Sequence, residues 1–487
     1  MLKKKQKYKK DKAKDYNKAA KTSCQFGNWF HTCVVYINKV FLVISIVAFL
    51  LRITFLSPWL EDWDSVQFAL ALHNFSIVDH QPHAPGYPIY ILLGRFIYLF
   101  TNNDTQALVL LSSLLGSAVI IPFYLLTRTM FGKLSATIAS FIFILVPIEW
   151  VLSETALTNI PGLFFLILWT YFLFTLAKSP KRLLFVSFAG GLILGVRFTE
   201  LPIILALLGL VLLKHKPKYI FTAVVLFCTG ALTWLIPLIA ITGIQKFINS
   251  YIWIANYIAQ HDAFLDNRPD RLWYLLTVGY TPYFLALSFL VLLWFSIHKK
   301  TWRQFKYQFL FVWLVAYIIP LVFVYNLEVP RYTLPLLPPL AILTAAALSG
   351  LIEKKKIFVF LTAFLFLVLF KESYTQVKLL HTAIPPTIAP VLWVKDNLNP
   401  EDSLIITTFT YRQFQYYLPE FQTFYGTKFD QDSIPVEKTV IIDYMGLKND
   451  IKPLHDFEIY KTLKFQGNKD IFPRISEVML YILRSKK

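Results

Sequence analysis

Residues 61–95 read EDWDSVQFALALHNFSIVDHQPHAPGYPIYILLGR. The stretch holds four acids (Glu61, Asp62, Asp64, Asp79), three histidines (His73, His80, His83) and three prolines, and strongly apolar sequence flanks it. Ionisable groups clustered at or in a membrane are costly, so their default reading is a functional site. How this stretch is read also decides the fold. Its apolar end, 86–100, either crosses the membrane or lies on it. If it crossed, every later basic cluster would change sides, so a short helix at the outer interface is expected.

Working outward, 56% of the 487 residues are hydrophobic and 16% charged, and the apolar residues come in runs separated by short basic stretches. Such runs match the roughly 20 residues that carry a helix across about 30 Å of hydrocarbon. Eleven spans are expected, near 39–57, 106–127, 134–151, 157–177, 183–197, 200–213, 219–241, 273–297, 307–327, 332–351 and 357–371. Two short spans over 183–213 are preferred to one long helix, which would put Lys214–Lys218 outside. The expected fold is an all-α polytopic membrane protein with a small α/β extracytoplasmic C-terminal domain.

The net charge of +19 does not point to nucleic acid, because the basic residues lie mostly in the tail and in short clusters between apolar runs. Residues 1–38 read as a basic cytoplasmic tail, with ten lysines against two aspartates in the first 22 positions and no cleavable signal peptide. The later basic clusters fall on the tail's side, so 58–105, 242–272 and everything after 371 face outward. Cys24, Cys33 and Cys228 are too few for a disulfide framework or a zinc site. After Lys371 composition changes. A Pro-rich link at 372–390, an amphipathic helix near Trp393–Leu398 and short apolar runs at Leu404–Thr407, Thr439–Asp443, Glu458–Leu463 and Val478–Leu483 suggest an α/β domain over 372–487.

Asp64 opens an amphipathic helical stretch just past the first span. Partial desolvation would raise its pKa and make it a general base, while the bland reading of Glu61, Asp62 and Asp64 is interfacial charge or helix capping. His80 and His83, with Pro85-Gly86-Tyr87-Pro88, form a rigid loop that lines the site, and two histidines three apart beside acids are also a donor set for a divalent metal. Glu154 and Asn159 stand at the outer start of the fourth span, where a helix cap is the alternative. Arg331, in Glu328-Val-Pro-Arg-Tyr-Thr-Leu-Pro335, is a lone arginine on the outer face. It suits a lipid phosphate or, on the bland reading, snorkels beside Tyr332. Arg95 and Arg197 are weaker candidates for the same anion, and His261, Asp262 and Asp266 are candidates for an acceptor.

Four segments carry a resemblance: Asp64-Ser-Val-Gln-Phe-Ala-Leu-Ala-Leu, His83-Ala-Pro-Gly-Tyr-Pro-Ile-Tyr-Ile-Leu-Leu-Gly, Leu-Thr-Asn159-Ile-Pro-Gly-Leu-Phe-Phe and Pro330-Arg-Tyr-Thr-Leu-Pro. Their order over roughly 40–370 resembles bacterial relatives of the protein O-mannosyltransferases and the lipid A aminoarabinose transferase, in the GT-C glycosyltransferase superfamily. The resemblance implies an integral protein of the bacterial plasma membrane. It would move a sugar from a polyprenyl-phosphate donor to a glycan, lipid or protein acceptor on the outer face. It implies that Asp64 is the catalytic base. Where the family commonly has a second Asp before Pro, this chain has Asn159, with Glu154 one turn earlier as a substitute. Metal dependence varies in the superfamily and stays open. The competing class is a lipid flippase, which usually places its charges at mid-bilayer on broken helices.

Overall fold

The computed structural model describes residues 39–177, 179–257, 268–297, 299–325, 327, 329–426, 439–443 and 457–486. The lysine-rich tail, Glu328, His261, Asp262 and Asp266 lie outside the described residues. By compactness the chain divides at Val47, and Ala48–Lys487 form one unit.

The first half runs α1 (Lys39–Thr54), α2 (Trp63–His73), α3 (Pro88–Thr101), α4 (Asp104–Ala118), α5 (Ile120–Phe131), α6 (Lys133–Leu145), α7 (Pro147–Ser153), α8 (Asn159–Leu176), α9 (Pro180–Ile193), α10 (Leu201–Leu212) and α11 (Pro217–Thr242). The second runs α12 (Ile244–Tyr257), α13 (Arg268–Tyr280), α14 (Pro282–Ile297), α15 (Lys299–Trp302), α16 (Phe305–Phe323), α17 (Leu337–Lys354), α18 (Phe358–Thr382), α19 (Ala389–Asn397) and α20 (Tyr411–Tyr417). A 3-10 strap, Pro330–Leu336, leads into α17. Proline opens α3, α7, α9 and α11 at the first helical turn, where its missing N–H costs no hydrogen bond.

The mostly helical architecture with a small C-terminal sheet domain agrees with expectation, but the described residues do not yield the eleven spans expected. Among the described residues six helices are long and apolar enough to cross a membrane, and up to eight if each of two bent pairs is one span. The pairs are α6 with α7, bent by 61°, and α13 with α14, bent by 108°. The first bend follows extended Val146 before Pro147; the second follows Thr281 at φ +67 before Pro282. The stretches expected as spans at 39–57, 183–197 and 200–213 form helices of 16, 14 and 12 residues, shorter than a typical crossing. Residues 86–100 form the single short helix α3.

The expected link at 372–390 is largely helix, since α18 continues to Thr382. Its buried Leu365, Leu369, Ser373, Val377 and Leu380 recur at helical spacing, so one face stays apolar where the other turns polar. Helices α9 and α11 cross closely. A Cβ at Gly191 would run into the Phe227 carbonyl, and one at Gly230 into the Phe188 carbonyl.

Beyond α18 lies a five-stranded sheet, β1 (Ser403–Thr407), β2 (Gln422–Tyr425), β3 (Thr439–Asp443), β4 (Phe457–Gln466) and β5 (Glu477–Ser485), in the order β2-β1-β3-β5-β4. β1 pairs in parallel with β2 and β3, whereas β5 runs antiparallel to β3 and β4. Alternation along the strands divides two cores. Ile405 and Ile441 pack with Val391, Val394 and Phe414 of α19 and α20, while Leu404, Ile406, Val440 and Ile442 pack on the other face. The four strand runs expected from sequence are present; β2 and α20 were not anticipated.

Candidate active site

Asp62, Asp64 and Arg331 form the centre. Arg331 donates from Nη1 to Asp62 Oδ2 at 2.8 Å and from Nη2 to Asp64 Oδ2 at 2.6 Å, so one guanidinium bridges two carboxylates. Side-chain exposures of 8% for Arg331, 11% for Asp62 and 20% for Asp64 leave the bridge largely dry. Local sequence explains the acid geometry. Asp62 is the N-cap of α2, its Oδ1 accepting the Asp64 N–H at 2.9 Å, which leaves Oδ2 for the arginine and puts Asp64 in the first turn. The 3-10 strap, with prolines at 330 and 335, lacks N–H donors for some of its carbonyls, and side chains from other helices bond to several of them. Asn159 donates to the Arg331 carbonyl at 3.2 Å, Tyr317 to Tyr332 at 2.8 Å, and Trp313 to Pro335 at 3.0 Å. Asn159 therefore acts on Arg331 through its backbone.

His83 stands 3.6 Å from Asp64, Nδ1 to Oδ1. Gln67 Oε1 accepts the His83 N–H at 3.2 Å and lies 2.7 Å from Nδ1, while Nε2 lies 3.0 Å from the Tyr87 hydroxyl. Tyr87 takes φ +48 just before Pro88, which turns its ring back toward His83. With both ring nitrogens of His83 engaged and the His80 ring 4.6 Å from that of Trp253, the two histidines serve different contacts. Among the described residues no three His, Cys, Asp or Glu are grouped to hold a metal.

The charges invert one expectation. Burial alone would push the Asp64 carboxyl up, but Arg331, then His83, Arg474 and Arg197, pull it down to about 2. Burial lowers the His83 pKa against the pull of Asp64, so its imidazole is neutral at pH 7. Glu61 goes the other way. Burial, and then Asp62, push it up to about 8 against Arg331, which leaves it protonated at neutral pH. Burial also raises the Tyr87 phenol.

Beside the bridge, on the Asp62 side, opens a cavity of about 120 Å³. Glu61, Asp62, Trp63 and Arg331 line it with Ile148 and Leu152 of α7, Val278 of α13, Leu380 of α18 and the β4–β5 connection at 470–475. That connection is anchored: Ile471 and Phe472 are buried with Leu380, and Tyr274 donates to Asp470 at 3.0 Å. Arg474, which the sequence reading missed, reaches the cavity from there as an exposed side chain. Among carboxylates, Asp62 acts on it most strongly, then Asp64. Arginine in a loop near the chain's end carried no signal. Gln67 did carry one, as a lone amide in the apolar run Val66–Leu72, and it is 3% exposed.

The other candidates lie apart from the bridge. Arg95 donates to the Leu72 and Ala71 carbonyls at 2.9 and 3.0 Å, closing the end of α2. Arg197, 6% exposed, donates to Thr158 Oγ1 at 2.7 Å and abuts Gly162, where a Cβ would lie 2.7 Å from its Cδ. Glu154 is fully buried, and the charges acting on it are Arg52 and Glu149, which pair with each other.

Residues 82–242 match the family model for dolichyl-phosphate-mannose-protein mannosyltransferase. Curated proteins yield no match. Among solved structures, ArnT from Cupriavidus metallidurans bound to undecaprenyl phosphate superposes with a TM-score of 0.53 at 14% identity, over 93% of this chain and 98% of that one. The oligosaccharyltransferase AglB from Archaeoglobus fulgidus, in complex with an inhibitory peptide and a dolichol-phosphate, gives 0.50 at 12% identity, over 83% of this chain and 69% of that one. An Archaeoglobus fulgidus oligosaccharyltransferase tethered with an acceptor peptide gives 0.49 at 13%, over 80% of this chain, which spans only 64% of that one. The chain is thus similar over 82–242 to the dolichyl-phosphate-mannose-protein mannosyltransferase family and shares its fold with ArnT along nearly the whole chain.

Proposed function

We propose that the protein transfers a sugar from a polyprenyl-phosphate-linked donor to an acceptor hydroxyl at the outer face of the membrane, by a single inverting displacement. The observation that carries the reading is Asp64 held by Arg331 beside neutral His83, on a fold shared with an enzyme bound to undecaprenyl phosphate. Planar guanidinium groups bind carboxylate and phosphate alike. A donor phosphate competes for Arg331 and frees Asp64, whose basicity rises as its cation leaves. Asp64 then takes the acceptor hydroxyl proton while that oxygen bonds to the anomeric carbon. The bond from that carbon to phosphate oxygen breaks, and the lipid phosphate departs with the electron pair, its charge met by Arg331. One displacement inverts the anomeric centre and needs no carboxylate nucleophile.

The test is transfer from a panel of labelled polyprenyl-phosphate sugars in membranes, wild type beside an equally expressed Asp64→Asn. Product from wild type and none from the variant supports both enzyme and base. Transfer that survives in the variant moves the base elsewhere. No product from any donor while lipid still crosses the bilayer favours a flippase.

A further inference from the structure

A single guanidinium neutralises two carboxylates in the structure, Asp62 at 2.8 Å and Asp64 at 2.6 Å. In the function proposed above, on which this inference rests, that guanidinium turns to the donor phosphate. Asp62 and Asp64, two residues apart and 11% and 20% exposed, would then share a half-dry site without their cation. Stranded charge of this kind opposes donor binding unless another cation replaces the first.

Arg474 is the second arginine on the cavity wall, and among the described residues it forms no hydrogen bond or ion pair. Its neighbours Ile471 and Phe472 are buried in a core with Leu380, while its own side chain is exposed and lines the cavity. The acid that acts on it most strongly is Asp62. Arg197 is less suited to the task, being buried and bonded to Thr158.

We propose that Arg474 is a positioning residue of the C-terminal domain that takes over Asp62 when Arg331 moves to the donor phosphate. The domain then completes the charge balance of the site, and its role in the reaction is electrostatic. Bound donor leaves Arg331 on phosphate, Arg474 on Asp62 and Asp64 free to accept a proton.

The test measures undecaprenyl phosphate binding to the full chain in nanodiscs for wild type, Arg474→Gln, Arg474→Lys, Asp62→Asn and the double variant Asp62→Asn/Arg474→Gln. Arg474→Gln should weaken binding about tenfold, a coupling of ordinary size for charges in one network. Lysine should restore most of it. With Asp62 already neutral, Arg474→Gln should cost less than about twofold, because no carboxylate is left stranded. Wild-type affinity in Arg474→Gln overturns the proposal. So does a tenfold loss that persists in the Asp62→Asn background, which would mean a direct phosphate contact or a structural role. Sugar transfer assayed on the same samples separates the two readings. A non-additive binding cycle without transfer supports Arg474 and sinks the transferase; transfer with an additive cycle does the reverse.

Discussion

At the scale of single residues, the site is a problem of shared charge. Asp64 at about 2 stays ionised and weakly basic as long as Arg331 holds it, so the proposed base gains strength only when the arginine leaves. Replacing Asp64 by Asn removes the proton acceptor and one anchor of Arg331, but leaves the arginine for phosphate. Transfer should therefore fall by about 10²–10⁴-fold, the usual weight of general base catalysis, while undecaprenyl phosphate still binds; rates and lipid binding measured on one preparation check this. Glu61 sets a second prediction. Its carboxyl is pushed from 4.5 up to about 8 in the folded protein, first by burial and then by Asp62. Between those values the unfolded chain ionises it while the folded protein keeps it protonated, so this group makes stability fall as pH rises across that window. Glu61→Gln removes the penalty. Its gain in Tm over wild type should be small near pH 4 and reach its full size above pH 8, read by thermal melts in detergent.

At the scale of elements, glycines mark where helices must meet. Gly162 in the first turn of α8 makes room for Arg197, since a Cβ there would lie 2.7 Å from both Arg197 Cδ and Glu200 Oε1. Gly162→Ala should displace Arg197 from Thr158, since the new Cβ would also lie 2.8 Å from Arg197 Cβ, and should lower both Tm and transfer, read by melting and transfer assays on one preparation. Gly191 and Gly230 serve packing instead. They let α9 and α11 approach until each glycine faces the partner helix's carbonyl, the small-residue contact common between membrane helices. Gly191→Val forces the pair apart and should reduce the yield of folded protein and its Tm, read by size exclusion and melting, before any effect specific to the site can be seen.

At the scale of the molecule, the C-terminal domain grips the loop that carries the acids. Thr387 and Gln413 both donate to the Glu61 carbonyl at 2.9 Å. Tyr417 accepts the Leu60 N–H at 2.9 Å, and Arg412 donates to the Asp79 carbonyl at 2.7 Å. A chain ending at Thr382 should keep its helices yet lose transfer. Hydrogen exchange should show faster opening of residues 58–66, because their partners have gone.

The apolar runs, the helical bulk of the chain and the small sheet domain were legible in order because each depends on local periodicity. So was the cluster of acids and histidines at 61–95, since burying charge near a membrane is costly enough to stand out in composition. Span ends were less legible: α18 runs on to Thr382 because one buried stripe continues after its other face becomes polar. What only the tertiary structure decided is which charges meet. Arg331 lies 267 residues from Asp64, and Arg474 comes from another domain, so no spacing in the sequence records their approach. That approach reverses the direction of the Asp64 pKa, because burial is a property of the loop whereas the opposing cations arrive from distant segments.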